Sequence, residues 1–147
     1  MNRAKFKPLQ AQKVYEIDDD LAELTPSILL VEDEAEFAEM LKLYLESFNY
    51  VVTIAPDGVQ GMKRVLEKDF DVVICDLLMP NLPGDMFYIG VQRLKPKLAR
   101  RFIFITGHQS EPKIADFIKR TRALTLFKPF DMNLLVETIK TALKEKK

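Results

Sequence analysis

The chain has 147 residues, 48% hydrophobic and 30% charged, which suits one domain with a packed core and a polar surface. Its 22 Lys plus Arg balance 22 Asp plus Glu, and that neutrality removes the electrostatic argument for nucleic acid or an anionic membrane as a partner. A single cysteine (Cys75) and a single histidine (His108) exclude an internal disulfide and a His/Cys zinc cage; no apolar run approaches the roughly 20 residues that span a bilayer, and the N-terminus lacks a secretory core, so the expectation is a soluble, cytoplasmic protein.

Residues 1–26 read apart from the rest. Arg3, Lys5 and Lys7 give way to Glu16 and the run Asp18, Asp19, Asp20, and the segment closes at Thr25-Pro26. Apolar residues are sparse and follow neither a helical nor an alternating period. A mobile arm or linker is expected here, with a docking arm or an added helix around Leu21 and Leu24 as the alternative.

From Ser27 the pattern becomes regular, and residues 27–147 form the expected domain. Short apolar runs at 28–31, 51–54, 72–75, 102–105 and 124–127 are too short for helices, and most are rich in β-branched or aromatic residues. Their near-continuous apolarity predicts strands covered on both faces, as in a parallel sheet. Between them lie helical stripes. Phe37, Leu41, Tyr44, Leu45 and Phe48 make the first; Val59, Met62, Val65 and Leu66 the second, introduced by Asp57-Gly58. A third candidate covers 84–93 and ends at Pro96. Ile114, Phe117 and Ile118 suggest a fourth, with Pro112 near its first turn. Leu135, Ile139, Ala142 and Leu143 suggest a fifth, capped by Asp131. Alternating strands and helices predict an α/β three-layer sandwich.

In open parallel sheets, chemistry gathers at the carboxyl ends of the strands. The first strand runs into Glu32-Asp33, the third into Asp76, the fourth into Thr106 and the fifth into Lys128-Pro129. Taken singly, such residues are usually helix caps or turn residues; together they point to one site. Three carboxylates at one edge repel one another unless a cation intervenes. An all-oxygen cluster open to water suits Mg²⁺, which binds through one or two carboxylates plus a phosphate. A lysine supplies a second positive charge, a threonine hydroxyl a donor, and Gly107 room for an incoming group. Nothing here makes water a strong base, so the site is suited to accept a phosphoryl group.

The segments ILLVEDEAEF, APDGVQGMKRVLEKDFDVVICDLLMPNLPG, FIFITG and LFKPF resemble, in order and spacing, the receiver domain of two-component response regulators, the CheY-like superfamily. The resemblance covers about residues 27–145. It implies a flavodoxin-like (βα)5 fold with strand order 2-1-3-4-5, and Asp76 as the phosphorylated residue. It also implies Asp33, Asp76 and the Leu78 carbonyl as direct Mg²⁺ ligands, with Glu32 acting through water. Thr106 and Lys128 would hold the phosphoryl group, and Pro129 would follow a cis bond. A histidine kinase or histidine phosphotransfer protein would be the donor. The chemistry is self-phosphorylation and self-dephosphorylation rather than turnover of a substrate, and the output is altered contact with a downstream protein.

The chain departs from the family at Thr125, where many members carry a switch aromatic three residues before the lysine. Phe127, two residues on, is expected in the core, with a substitute switch role as the alternative. Leu78 and His108 flank the site: His108 reads as a solvated loop residue or as one that positions hydrolytic water. Cys75 reads as core filling. Lys113, Lys119, Arg120 and Arg122 form either a solvated face or a docking surface for an acidic partner or a second copy. A module that binds its partner without phosphorylation is the alternative reading. An aspartyl-phosphate phosphatase is disfavoured by Leu78, where such enzymes carry a second aspartate. An FMN carrier is disfavoured by Glu32-Asp33-Glu34, where it needs a phosphate-binding loop.

Overall fold

The computed structural model describes residues 25–145; the expectation of an arm over residues 1–26 therefore lies almost wholly outside the described residues. Five parallel strands, β1 (Ser27–Val31), β2 (Val51–Ala55), β3 (Val72–Asp76), β4 (Phe102–Thr106) and β5 (Leu124–Phe127), form one sheet in the order 2-1-3-4-5. They alternate with α1 (Ala35–Glu46), α2 (Gly58–Glu67), α3 (Gly84–Leu94), α4 (Pro96–Ala99), α5 (Pro112–Thr121) and α6 (Met132–Lys144). β3 and β4 are buried at every position because both of their faces carry helices.

The two faces of the sheet take different side chains. On one, Ile28, Leu30, Ile74, Ile103 and Ile105 meet Leu41 and Leu45 of α1 and Leu135 and Ile139 of α6, an almost wholly aliphatic layer. On the other, Leu29, Val31, Val73, Cys75, Phe102 and Phe104 meet α2, α3 and α5. The alternation follows from the two-residue period of a strand. Tyr88 of α3 packs edge-on against Phe102, Phe104 and Phe117, with ring centroids 5.1, 5.5 and 5.8 Å away. Each such side chain, fully buried, contributes roughly 1.5–3 kcal/mol. Cys75 lies inside this layer, and burial pushes its thiol well above the usual range.

Several expectations shift. α1 stops at Glu46, so Phe48 falls in the following turn, exposed, next to Asn49 with its left-handed φ of 66°. Pro96 lies beyond α3 as expected, but it also opens the single turn of α4, where a proline lacking an N–H fits the first position. In α2 the apolar stripe packs only in part: Val65 is buried and Met62 half-buried against the core, but Val59 and Leu66 are exposed, Leu66 by 64%. Beside Val65 the helix presents Gly58 and Gly61 inward, and a β-carbon at Gly61 would lie 3.1 Å from the Phe87 ring. Phe127, expected in the core, is 45% exposed at the end of β5, the edge strand of the sheet. Asp131 caps α6 as expected, accepting from the Asn133 N–H at 2.8 Å.

Candidate functional site

Strand order reverses between β1 and β3, which both lie beside the crevice where α/β sheets bind ligands. β3 keeps its pairing one residue beyond its apolar run, with Asp76 opposite Ile105, so the carboxylate stands at the very end of the strand. Glu32 follows β1 directly, its N–H donating to the Ala55 carbonyl at 3.0 Å, which continues the pairing with β2 past the strand end. Glu32 and Asp76 are 1% and 5% exposed, Asp33 is exposed, and one oxygen from each of the three lies within 4.8 Å of the others.

Lys128 reaches this cluster from β5. Its N–H donates to the Thr106 carbonyl at 2.8 Å, continuing the sheet past the strand end. The Lys128–Pro129 peptide is cis. Its ammonium donates to Asp76 Oδ2 at 3.0 Å and to Glu32 Oε1 at 3.2 Å, with Glu34 Oε1 at 4.0 Å. Burial opposes that charge, but the hydrogen bond and charge of Asp76, joined by those of Glu32, outweigh it and raise the lysine above its ordinary range. Glu32 is pushed up to about 7, chiefly by burial and then by the charge of Asp76; the Glu34 N–H and Lys128 work against the rise. A buried carboxylate beside another is short of positive charge, and an all-oxygen donor set of this size fits a hard divalent cation.

Two residues near the lysine were not identified as site residues from the sequence. Phe37, read there only as part of an apolar stripe, places its ring 4.8 Å from the Lys128 ammonium and meets Phe130 edge-on at 6.4 Å. Glu34 adds the third carboxylate around the ammonium. No local signal marks either contact, since both join residues some ninety positions apart.

The remaining candidates line the rim or lie away from it. Thr106 is fully buried at the end of β4, and its Oγ1 accepts from the His108 N–H at 3.0 Å. His108 itself is exposed. Space above Gly107 is open: an added β-carbon would meet only the Lys128 β-carbon, at 3.8 Å. The Leu78 N–H donates to Asp76 Oδ1 at 3.1 Å while its side chain points to solvent. Thr125 is not drawn into the cluster; it pairs in register with Phe104 and its hydroxyl donates to the Ala123 carbonyl at 3.0 Å. Lys113, Lys119, Arg120 and Arg122 are all exposed, with Arg120 paired to Asp116 at 2.9 Å.

Residues 28–140 match the family model described as the response regulator receiver domain. The chain is 32% identical over 119 residues to the response regulator ArlR of Staphylococcus epidermidis, covering 80% of this chain and 52% of that protein. To the transcriptional regulatory protein ZraR of Klebsiella oxytoca it is 28% identical over 116 residues, 79% of this chain and 26% of that one. The chain thus spans between a quarter and a half of the length of these curated relatives. Among solved structures, a CheY-like receiver domain protein from Methanospirillum hungatei JF-1 superposes with a TM-score of 0.76 at 25% identity, over 83% of this chain and 96% of that one. Fold, acidic cluster and matched residues agree, and the chain belongs to the response regulator receiver domain family of two-component signalling.

Proposed function

We propose that the chain is a phosphoacceptor, with Asp76 taking a phosphoryl group from a phosphohistidine of a histidine kinase or a phosphotransfer protein. The observation that carries this reading is the position of Asp76 at the switch point, with one oxygen on the Lys128 ammonium and the other on the Leu78 N–H. In the transfer, an Asp76 carboxylate oxygen forms a bond to phosphorus as the phosphorus–nitrogen bond of the donor breaks, and the released imidazole keeps the bonding pair. Lys128 then turns from Asp76 Oδ2 toward a phosphoryl oxygen. Thr106 is suited to hold a second one, since its oxygen accepts from His108 while its hydroxyl hydrogen remains free to donate. Asp33, Asp76 and the Leu78 carbonyl would hold Mg²⁺, with Glu32 behind them through water. The ion supplies the charge that lets a carboxylate approach an anionic phosphoryl group.

Leu78 and His108, whose N–H groups donate to Asp76 and Thr106, would govern access of hydrolytic water, with Gly107 leaving the approach open. The output is a change of protein contacts produced by a shifted conformational equilibrium. Cytoplasmic location accords with a donor phosphorylated from ATP, and among the described residues no helix is long and apolar enough to cross a membrane. A second reading, partner binding without phosphorylation, is favoured by Thr125, which leaves the strand without the switch aromatic. Intact mass after incubation with acetyl phosphate and Mg²⁺ separates the two. The phosphoacceptor reading expects one added phosphoryl group on the wild type and none on Asp76→Asn. Absence of the adduct on a wild type that binds Mg²⁺ selects the phosphorylation-independent module.

A further inference from the structure

The loop from Leu77 to Pro83 carries Leu78 and is tied at three points. At its root, the Leu77 carbonyl accepts from the Gly84 N–H at 3.1 Å. Beside the phosphoacceptor, the Leu78 N–H donates to Asp76 Oδ1. The third tie is remote from the chemistry. Asn81 donates its side-chain amide to Asp57 Oδ2 at 2.8 Å, while Asp57 Oδ1 caps α2 by accepting from the Gln60 N–H at 2.8 Å. One carboxylate therefore serves a helix end and a loop at once.

Three further features belong to this contact. The Gln60 N–H, followed by the Asn81 amide, holds the Asp57 carboxyl below its ordinary range, so the bond to Asn81 is made to a full negative charge. Asn81 has a left-handed φ of 70°, which aims its amide back toward α2 and which asparagine tolerates better than most residues. A β-carbon at Gly58 would overlap the Leu82 carbonyl oxygen, so the residue after Asp57 has to be glycine for the loop to come this close.

We propose that Asp57 and Asn81 are positioning residues for the divalent-cation site: their bond presets the loop so that the Leu78 carbonyl is in place before the ion arrives. This rests on the reading of Asp33, Asp76 and Leu78 as the Mg²⁺ ligands. Neither residue touches the ion. Fixing the loop in advance removes an ordering cost from binding, as groups behind metal ligands commonly do.

Two substitutions remove the tie while sparing the local backbone. Asn81→Gly keeps the left-handed turn, and Asp57→Ser keeps an oxygen to cap α2. Calorimetric titration of the full chain with Mg²⁺ should give a loss of affinity of about tenfold for each, the low end for a residue behind the ligands. The double variant should lose no more than either single one, since both delete the same contact. Without metal, hydrogen exchange at the Leu78 and Gly84 amides should accelerate in both variants while the amides of α2 stay protected. Unchanged Mg²⁺ affinity in both single variants, with the wild type binding normally, overturns the proposal alone. A wild type that binds no Mg²⁺ overturns the assignment of the ligands and this proposal with it. Exchange that accelerates across α2 instead of at Leu78 reduces Asp57 to a helix cap.

Discussion

Replacing Lys128 with methionine removes one positive charge from beside the acidic trio while keeping an unbranched apolar stem against Phe37. The ammonium lies 3.0 Å from Asp76 Oδ2, and magnesium–oxygen bonds are about 2.1 Å long. An ion on either Asp76 oxygen is therefore kept within roughly 5–7 Å of the ammonium. A double and a single charge about 6 Å apart repel by about 1.4 kcal/mol even at the dielectric constant of bulk water, which is a factor of about ten in affinity. Physiological salt, with a Debye length of about 8 Å, would roughly halve this in open water. The ammonium is partly buried, however, where the lower effective dielectric constant strengthens the repulsion and screening is weaker. Lys128→Met should thus bind Mg²⁺ about tenfold more tightly than the wild type, although it loses a group proposed to hold the phosphoryl oxygen. Calorimetry at pH 8.5 and fixed ionic strength makes the comparison above the value of about 7 at which Glu32 titrates. Equal or weaker affinity in a variant that remains folded would refute the reasoning, because the ammonium could not then stand beside the seat of the ion.

Asp33→Ala should lower Mg²⁺ affinity by at least about tenfold, as loss of a charged ligand requires; undiminished affinity in the same titration removes Asp33 from the ligand set. Glu32 gives a pH dependence of stability. Its carboxyl holds a proton to about 7 in the folded chain against an ordinary 4.5, so the folded state binds more protons between those values. Metal-free stability should therefore fall as pH rises through that window, by roughly 3 kcal/mol, and Glu32→Gln should flatten the curve. Urea unfolding in a chelator across pH measures it, and a wild-type curve that rises there contradicts the assignment. Gly84→Ala would set a β-carbon 2.5 Å from the Asp76 carbonyl oxygen and 2.8 Å from the Leu77 α-carbon, costing about 1–3 kcal/mol. Gly107→Ala, with nothing nearer than 3.8 Å, should leave stability within about 0.5 kcal/mol of the wild type by the same assay.

Much of this site was legible in the sequence because the strands are short and covered on both faces. An apolar run such as 72–75 ends where the first polar residue appears, and in a parallel sheet that end is where ligands bind. Asp76 and Thr106 could be placed by that rule, and Glu32 by its position directly after β1. What the sequence concealed were contacts made by residues with other obvious roles. Phe37 fits an ordinary helical stripe, and nothing local says that its ring faces an ammonium on β5. Leu66 and Val59 fit a stripe too, yet α2 is turned so that glycines face the core, and a hydropathy pattern gives glycine no weight as a packing surface. Phe127 satisfies the period of a buried strand, but edge position, which depends on strand order, leaves it in solvent. Asn81 sits between two prolines with nothing to single it out, and its partner lies on a loop it meets only after folding.

The close approach of α2, α3 and the loop beside Asp76 also determines where the sequence is free to drift. A side chain added at Gly58, Gly61, Gly84 or Gly90 would press, respectively, on Leu82, on Phe87, on the backbone of Asp76 and on Met62. Of these, Gly58 and Gly84 face backbone at 2.4 and 2.5 Å and admit no larger residue, whereas the Phe87 ring at Gly61 and the flexible end of Met62 at Gly90 can give way. Substitutions at Gly58 and Gly84 need compensating changes, so these two positions should change slowly in any mutational library selected for folding. The opposite quadrant, with open space at Gly107, a small Thr125 and an uncovered Phe127, accepts single changes one at a time. New partner preferences are therefore most readily acquired on the β5 side of the molecule.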